Sequence, residues 1–136
     1  MNKLNTFNKR LSYGKEAEKR FLKVLKDKNI KYIETSKLED WTPYFDLKNG
    51  DVIVGENKRV DVKRGRISLK CIKQYEGEYF AITDHYMDQF SIIKNEDMKE
   101  YVKNTDIIEL PSGSPGIKVD ISKIKHQTLK EWLDEI

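Results

Sequence analysis

Residues Gly50 to Gly65 read GDVIVGENKRVDVKRG. Asp51 opens a short β-branched run, Val52 to Val54. Gly55-Glu56-Asn57-Lys58 interrupts it, and a second run, Arg59 to Lys63, carries Asp61 and Lys63 two positions apart. Residues i and i+2 of a strand point to one face, so Asp61 and Lys63 should lie about 6 to 7 Å apart on the same side. With Gly55 to Lys58 as the loop, the expected hairpin pairs Val54 with Arg59, Ile53 with Val60 and Val52 with Asp61. Asp51 then sits beside Val62, within diagonal reach of Asp61 and Lys63. Two carboxylates beside an ammonium can seat a hard divalent cation, because magnesium takes oxygen ligands, commonly one or two carboxylates plus water or phosphate. A lysine placed there can orient or deprotonate an attacking water, or neutralise charge building on a phosphate. An arbitrary D-x-K on a strand is usually a solvated ion pair. Here Val60 and Val62 anchor the strand in a core, and Asp51 opens its partner.

The rest of the chain bounds what such a hairpin could serve. Its 136 residues suit a single domain, residues 1–136, with one core. Apolar residues make up 38% and charged residues 36%, which is polar but too rich in aromatic and β-branched side chains for disorder. Lys and Arg number 26 against 23 Asp and Glu, a formal net charge of +3. So small an excess favours a polyanionic partner only if the cations cluster. Cys71 is the single cysteine, which excludes an intramolecular disulfide and a cysteine-based zinc site. His85 and His126 are far apart and unsupported, so a structural zinc is not expected. The stretch MNKLNTFNKRL has no apolar core, and no run approaches the roughly 18 residues that would span a bilayer. A soluble, cytoplasmic protein without membrane contact is the expectation.

Gly14 to Asn29 reads as an amphipathic helix, with Ala17, Phe21, Val24 and Leu25 on one stripe and Ser12 as its cap. Ile30 to Thr35 alternates like a strand, and Ser36 to Pro43 reads as a polar loop holding Trp41. Tyr44 to Leu47 reads as a further strand leading into an Asn49-Gly50 turn. The hairpin strands are Asp51 to Val54 and Arg59 to Lys63. Ser68 to Glu76 reads as a capped helix ended by Gly77. Strands follow at Glu78 to Thr83 and Gln89 to Ile93, with a turn at His85 to Asp88. Asn95 should cap the helix NEDMKEYVKN, whose acidic first turn suits the helix dipole. Asp106 to Leu110 and Ile117 to Ile121 read as strands, Pro111 to Gly116 (PSGSPG) as a loop, and Thr128 to Ile136 as a terminal helix. Helices mixed with strands in this order indicate an α/β or α+β sheet domain.

These residues resemble the PD-(D/E)xK nuclease superfamily, whose signature is an acid at the start of one strand and (D/E)-x-K on the next. Asp51 matches the first acid, although Gly50 stands where the family has proline, and Asp61-Val62-Lys63 matches (D/E)-x-K. Gly14-Lys15-Glu16-Ala17-Glu18 is similar to the G-x-x-x-E helix of the resolvase-like and phage branches. It offers Glu18 as a further carboxylate, at the edge of the apolar stripe, with Glu16 as its competitor. Asp46 is the alternative first acid; the Asn-Gly turn would separate it from Asp61 by an extra hairpin. The resemblance spans roughly residues 14–83 and implies a restriction-endonuclease-like αβββαβ core with a mixed central sheet and C-terminal β/α additions. It implies a magnesium-dependent DNA endonuclease, with manganese able to substitute. Asp51, Asp61 and the Val62 carbonyl would be metal ligands, Lys63 would act on the attacking water, and Glu18 would assist. The alternative is a catalytically inactive nuclease-fold module that binds DNA or protein.

Lys58, Arg59, Arg64, Arg66, Lys70 and Lys73 bracket the hairpin and are the candidate phosphate contacts. Many nucleases that share the resembled core are dimers, because duplex DNA offers two strands to cut, so the resemblance implies a homodimer as one possible assembly. Trp41 and Tyr44 could stack on an exposed base or cover a sheet edge. His85 reads as a surface residue and Cys71 as a small buried apolar group. Gln74 reads as solvated helix surface and Tyr75 as core.

Overall fold

Buried positions along the central strands alternate between two cores. Val52, Val54, Val60, Val62, Ala81 and Ile92 belong to one, with Ala17, Phe21 and Leu25 from the first helix and Leu129, Trp132 and Leu133 from the last. Phe80, Ile82 and Ile93 belong to the other, with Cys71, Ile72, Tyr75, Met98 and Ile117. A sheet covered on both faces must bury both parities of its central strands. The computed structural model describes residues 3–42, 45, 48–83 and 89–136, with side chains from residue 15 onward. Over these residues the chain is a mixed α/β fold with helices on both faces of a mixed sheet.

Helix α1, Lys3–Asp27, leads into β1, Tyr32–Glu34. The hairpin follows as β2, Val52–Val54, and β3, Lys58–Arg64. Next come β4, Arg66–Ser68, helix α2, Leu69–Gln74, and β5, Tyr79–Thr83. The C-terminal part holds β6, Phe90–Lys94, α3, Asn95–Lys103, β7, Ile108–Glu109, β8, Pro115–Lys118, β9, Gln127–Thr128, and α4, Leu129–Asp134. Six strands form the main sheet in the order β1-β2-β3-β5-β6-β9, and β4-β8-β7 form a small second sheet. Every neighbouring pair in the main sheet is antiparallel except β3 and β5, which run parallel with β4 and α2 as their crossover.

Helix α1 starts at Lys3, well before the expected Gly14, so Ser12 lies inside it and is not its cap. It ends because Asn29 adopts φ 56, with Asn29 N–H bonded to Lys26 O and Ile30 N–H to Leu25 O, a Schellman stop. The stretch before Gly50 also departs from expectation. Phe45, Lys48 and Asn49 are helical rather than extended, and Asn49 Nδ2 donates to Phe45 O. Gly50, at φ 87, ends this helical turn, so Asn-Gly is a helix stop rather than a hairpin turn. A Cβ there would meet Val60 O at 2.7 Å. Tyr44, Asp46, Leu47 and His85 lie outside the described residues.

Farther along, Ser68 caps α2 as expected, its hydroxyl accepting from Cys71 N–H. Asn95 is the first residue of α3, not its cap; its amide instead donates to Tyr75 O and Gly77 O. PSGSPG is a loop only in part, since Pro115 and Gly116 open β8. Thr128 and Glu131 close a capping box on α4, burying Leu129, Trp132 and Leu133. Strands β7 and β8 overlap the expected strands at 106–110 and 117–121, whereas β4 and β9 lie outside what the sequence pattern predicts. No helix among the described residues is long and apolar enough to cross a membrane.

Candidate active site

The hairpin register differs by one residue from the expected one. Val52 pairs with Val60, Ile53 with Arg59 and Val54 with Lys58. The turn is Gly55-Glu56-Asn57, tightened by Gly55 at φ 65, instead of a four-residue loop. A one-residue slip moves every side chain of a strand to the other face. The expected pairing would put Asp51 on the Val62 side of the sheet. The observed pairing puts the odd-numbered residues of β2 and β3 together, and Asp51 joins Asp61 and Lys63 on the face covered by α2.

Asp51 sits just before β2 and is fixed from three directions. Its N–H bonds Val60 O at 2.9 Å and its carbonyl accepts from Thr35 N–H at 3.0 Å. Its Oδ2 accepts from Val62 N–H at 2.9 Å. Thr35 is buried, and its hydroxyl donates to both Gly50 O and Asp51 O. Thr35 thus holds the start of β2 in place, a role that nothing in its sequence context signals.

Asp61 is 3% exposed. Its Oδ2 lies 3.7 Å from Lys63 Nζ and accepts from Cys71 Sγ at 3.2 Å. Cys71 is therefore more than a small apolar group. Burial pushes its thiol up to about 12, so it stays protonated and donates to Asp61. Asp51 binds its proton unusually tightly: its pKa is well above the ordinary carboxyl value. Burial is the first cause and the Asp61 charge the second; Lys63 opposes them, while a hydrogen bond to Asp61 and the Glu18 charge add to the rise. A neighbouring negative charge disfavours the ionised form of a carboxyl, which is how Asp61 acts on Asp51. Tyr75 lies below them, fully buried, its hydroxyl bonded to Arg59 O at 3.0 Å and Tyr79 O at 2.7 Å.

Val62 contributes backbone. The N–H and C=O of a strand residue leave it along the same edge. Val60 O and Val62 N–H both face the Asp51 side, so the Val62 carbonyl is directed there too, beyond the point where β2 begins. Glu18 comes from the opposite layer. It is half-buried on α1, one position past Ala17, and reaches Asp51 through its charge. Glu16 instead pairs with Arg20 on the exposed side of the helix.

The basic residues fall into separate groups. Arg59 is turned to the protein: its guanidinium bonds Asn49 Oδ1, Glu76 O and Glu78 Oε1. Burial opposes the ionisation of Glu78, but the bonds from Arg59 prevail and hold its pKa down. Lys58 sits with Arg59 at the turn end of β3, about 16 Å along the strand from Lys63. Arg64 ends β3 half-buried, while Arg66, Lys70 and Lys73 are exposed. Gln74 is half-buried rather than solvated, and its Oε1 lacks a hydrogen-bond partner among the described residues. Trp41 is 37% exposed.

The donor set suits a hard cation. Two adjacent carboxyls beside a strand carbonyl match magnesium's use of few protein carboxylates with water or phosphate completing the shell. Among the described residues no three His, Cys, Asp or Glu side chains are grouped to hold a metal. No protein-family model matches the chain, and no curated protein is significantly similar to it.

Proposed function

We propose that the chain is a magnesium-dependent DNA endonuclease with a PD-(D/E)xK-type site on a restriction-endonuclease-like core. The observation that carries this reading is the Asp51–Asp61 pair, held at the β2–β3 fork with Lys63 beside it. With β4 set aside in the second sheet, the order α1, β1, β2, β3, α2, β5, with β3 and β5 parallel, agrees with an αβββαβ core.

Asp51, Asp61 and the Val62 carbonyl would hold the cation. Once bound, the cation supplies Lewis-acid polarisation of the scissile phosphodiester and offsets its growing negative charge. Asp61 and Lys63 share one face, so the ammonium stands beside the reacting phosphate. Lys63 there orients the attacking water and donates to the phosphate oxygens. Val62 N–H and Thr35 keep the Asp51 carboxylate aimed, and the Cys71 thiol does the same for Asp61. Glu18 adds negative charge at the rim, which strengthens cation binding.

Nicking of supercoiled DNA in magnesium tests the reading. Wild type should cut, Asp61→Asn should be inactive, and Lys63→Ala should lose about 100-fold or more. Equal rates in all three would sink the assignment.

A further inference from the structure

The small sheet carries a pair of like charges across two strands. Arg66 of β4 lies directly opposite Lys118 of β8. Their neighbours Ile67 and Ile117, also paired, are buried at 1% and 0%. Strand residues alternate faces, so Arg66 and Lys118 both point outward, and both are exposed. Neither side chain makes an ion pair or hydrogen bond among the described residues. The next pair of the same parity is Ser68 and the buried Gly116, so β4 and β8 supply no carboxylate from within their paired residues. Asp120, which feels the Lys118 charge, is committed to Ser122 at 2.6 Å and Lys123 at 3.9 Å.

Like charges directly opposite each other destabilise an antiparallel pair. A chain that keeps them gains from an anion that bridges both. The ribbon is also fixed relative to the candidate site: Lys63 and Arg66 are three residues apart, so their backbones lie within about 11 Å. Val119 N–H bonds Gly65 O, tying the end of β8 to the junction between β3 and β4.

We infer that the outer face of the β4–β8 ribbon binds the DNA phosphate backbone, with Arg66 and Lys118 gripping phosphates next to the one at Lys63. This rests on the nuclease reading for its ligand, and it assigns substrate positioning to a sheet outside the αβββαβ core. Arg66 and Lys118 touch no reacting atom in this scheme; they set where the duplex lies.

Binding without turnover tests it. Affinity of the full chain for a fluorescent 20-base-pair duplex is measured in EDTA at several salt concentrations. Each phosphate contact contributes about 0.9 to the slope of log K against log salt. Arg66→Ala with Lys118→Ala should make that slope shallower by about 1.8 and weaken binding about tenfold or more at 100 mM salt. Lys130→Ala, on exposed α4 surface, should leave the slope unchanged. Lys118→Glu should weaken binding while raising Tm, a pairing that a purely structural lysine would not produce. An unchanged slope in the double variant, or no duplex binding by wild type, overturns the inference. If wild type fails to cut DNA yet the double variant loses the slope, the nuclease reading fails and the ribbon stands. Cutting with an unchanged slope gives the reverse.

Discussion

Asp51 binds its proton more tightly in the folded chain than in the unfolded one, chiefly because it is buried and faces Asp61. An unfolded aspartate titrates near 3.9. Between that value and the raised folded pKa the native state holds more protons, so stability falls as pH rises. Asp51→Asn removes this penalty while keeping an oxygen to accept from Val62 N–H. Calorimetry without divalent metal should therefore find the variant more stable than wild type at pH 7, with the gap closing toward pH 4. A variant no more stable at pH 7 would contradict the strained acid pair. Such cost at one residue is common where a carboxyl is kept for chemistry rather than for packing. At this scale the sequence was readable for Asp61 and Lys63, whose common face follows from their spacing alone. Thr35 and Cys71 were not, since a buried hydroxyl and a lone thiol acquire roles only from what folds against them.

The elements that aim the site are short and depend on a few backbone conformations. Gly50 ends a helical turn at φ 87 and lies so close to β3 that an added Cβ would meet Val60 O at 2.7 Å and Tyr75 Cε1 at 3.1 Å. Left-handed backbone alone costs a non-glycine residue roughly 1 to 2 kcal/mol, and the clash adds to it. Gly50→Ala should lower stability by about 2 kcal/mol or more in urea unfolding; a loss under 0.5 kcal/mol would mean that the β2 start tolerates movement. The glycine was visible in the sequence as a turn signal, yet its purpose was not. It reads there as half of a hairpin turn, because propensity cannot tell a helix stop from a strand reversal. Helix α2 was legible at its start and along its faces: Ser68 caps it, Cys71 and Ile72 bury one side, and Lys70 and Lys73 stay in water, but it stops at Gln74 with an extended Tyr75, short of the expected end at Glu76 and Gly77.

Across the whole molecule, two cores clamp the sheet, and the C-terminal helix belongs to the same core as α1. Trp132 is 2% exposed and meets Tyr79 edge-on at 5.1 Å, beside the start of β5. Losing that ring leaves a cavity against the parallel strand that backs Asp61. Trp132→Ala should cost about 3 to 5 kcal/mol by chemical denaturation, and a cost below 1 kcal/mol would show α4 to be peripheral. The terminal helix was legible through its apolar spacing at Leu129, Trp132 and Leu133. Its packing on the α1 face, and the pairing of β9 with β6, were not, because long-range partners leave no local pattern.

The sequence by itself determined that Asp61 and Lys63 share a face, that Val60 and Val62 take the other, and that α1 and α4 each bury one stripe. These follow from the fixed periods of strand and helix, which need no partner. The hairpin pattern put Asp51 within diagonal reach of them, and only the tertiary structure decided that Asp51 lies on their face. A three-residue turn in place of four shifts the β2–β3 register by one, and one residue is the whole difference between Asp51 facing Asp61 and Asp51 facing away. That register is held by contacts from outside the hairpin's own turn: Gly55 N–H on Lys31 O, Asp51 N–H on Val60 O, and the Thr35 hydroxyl on the Gly50 and Asp51 carbonyls.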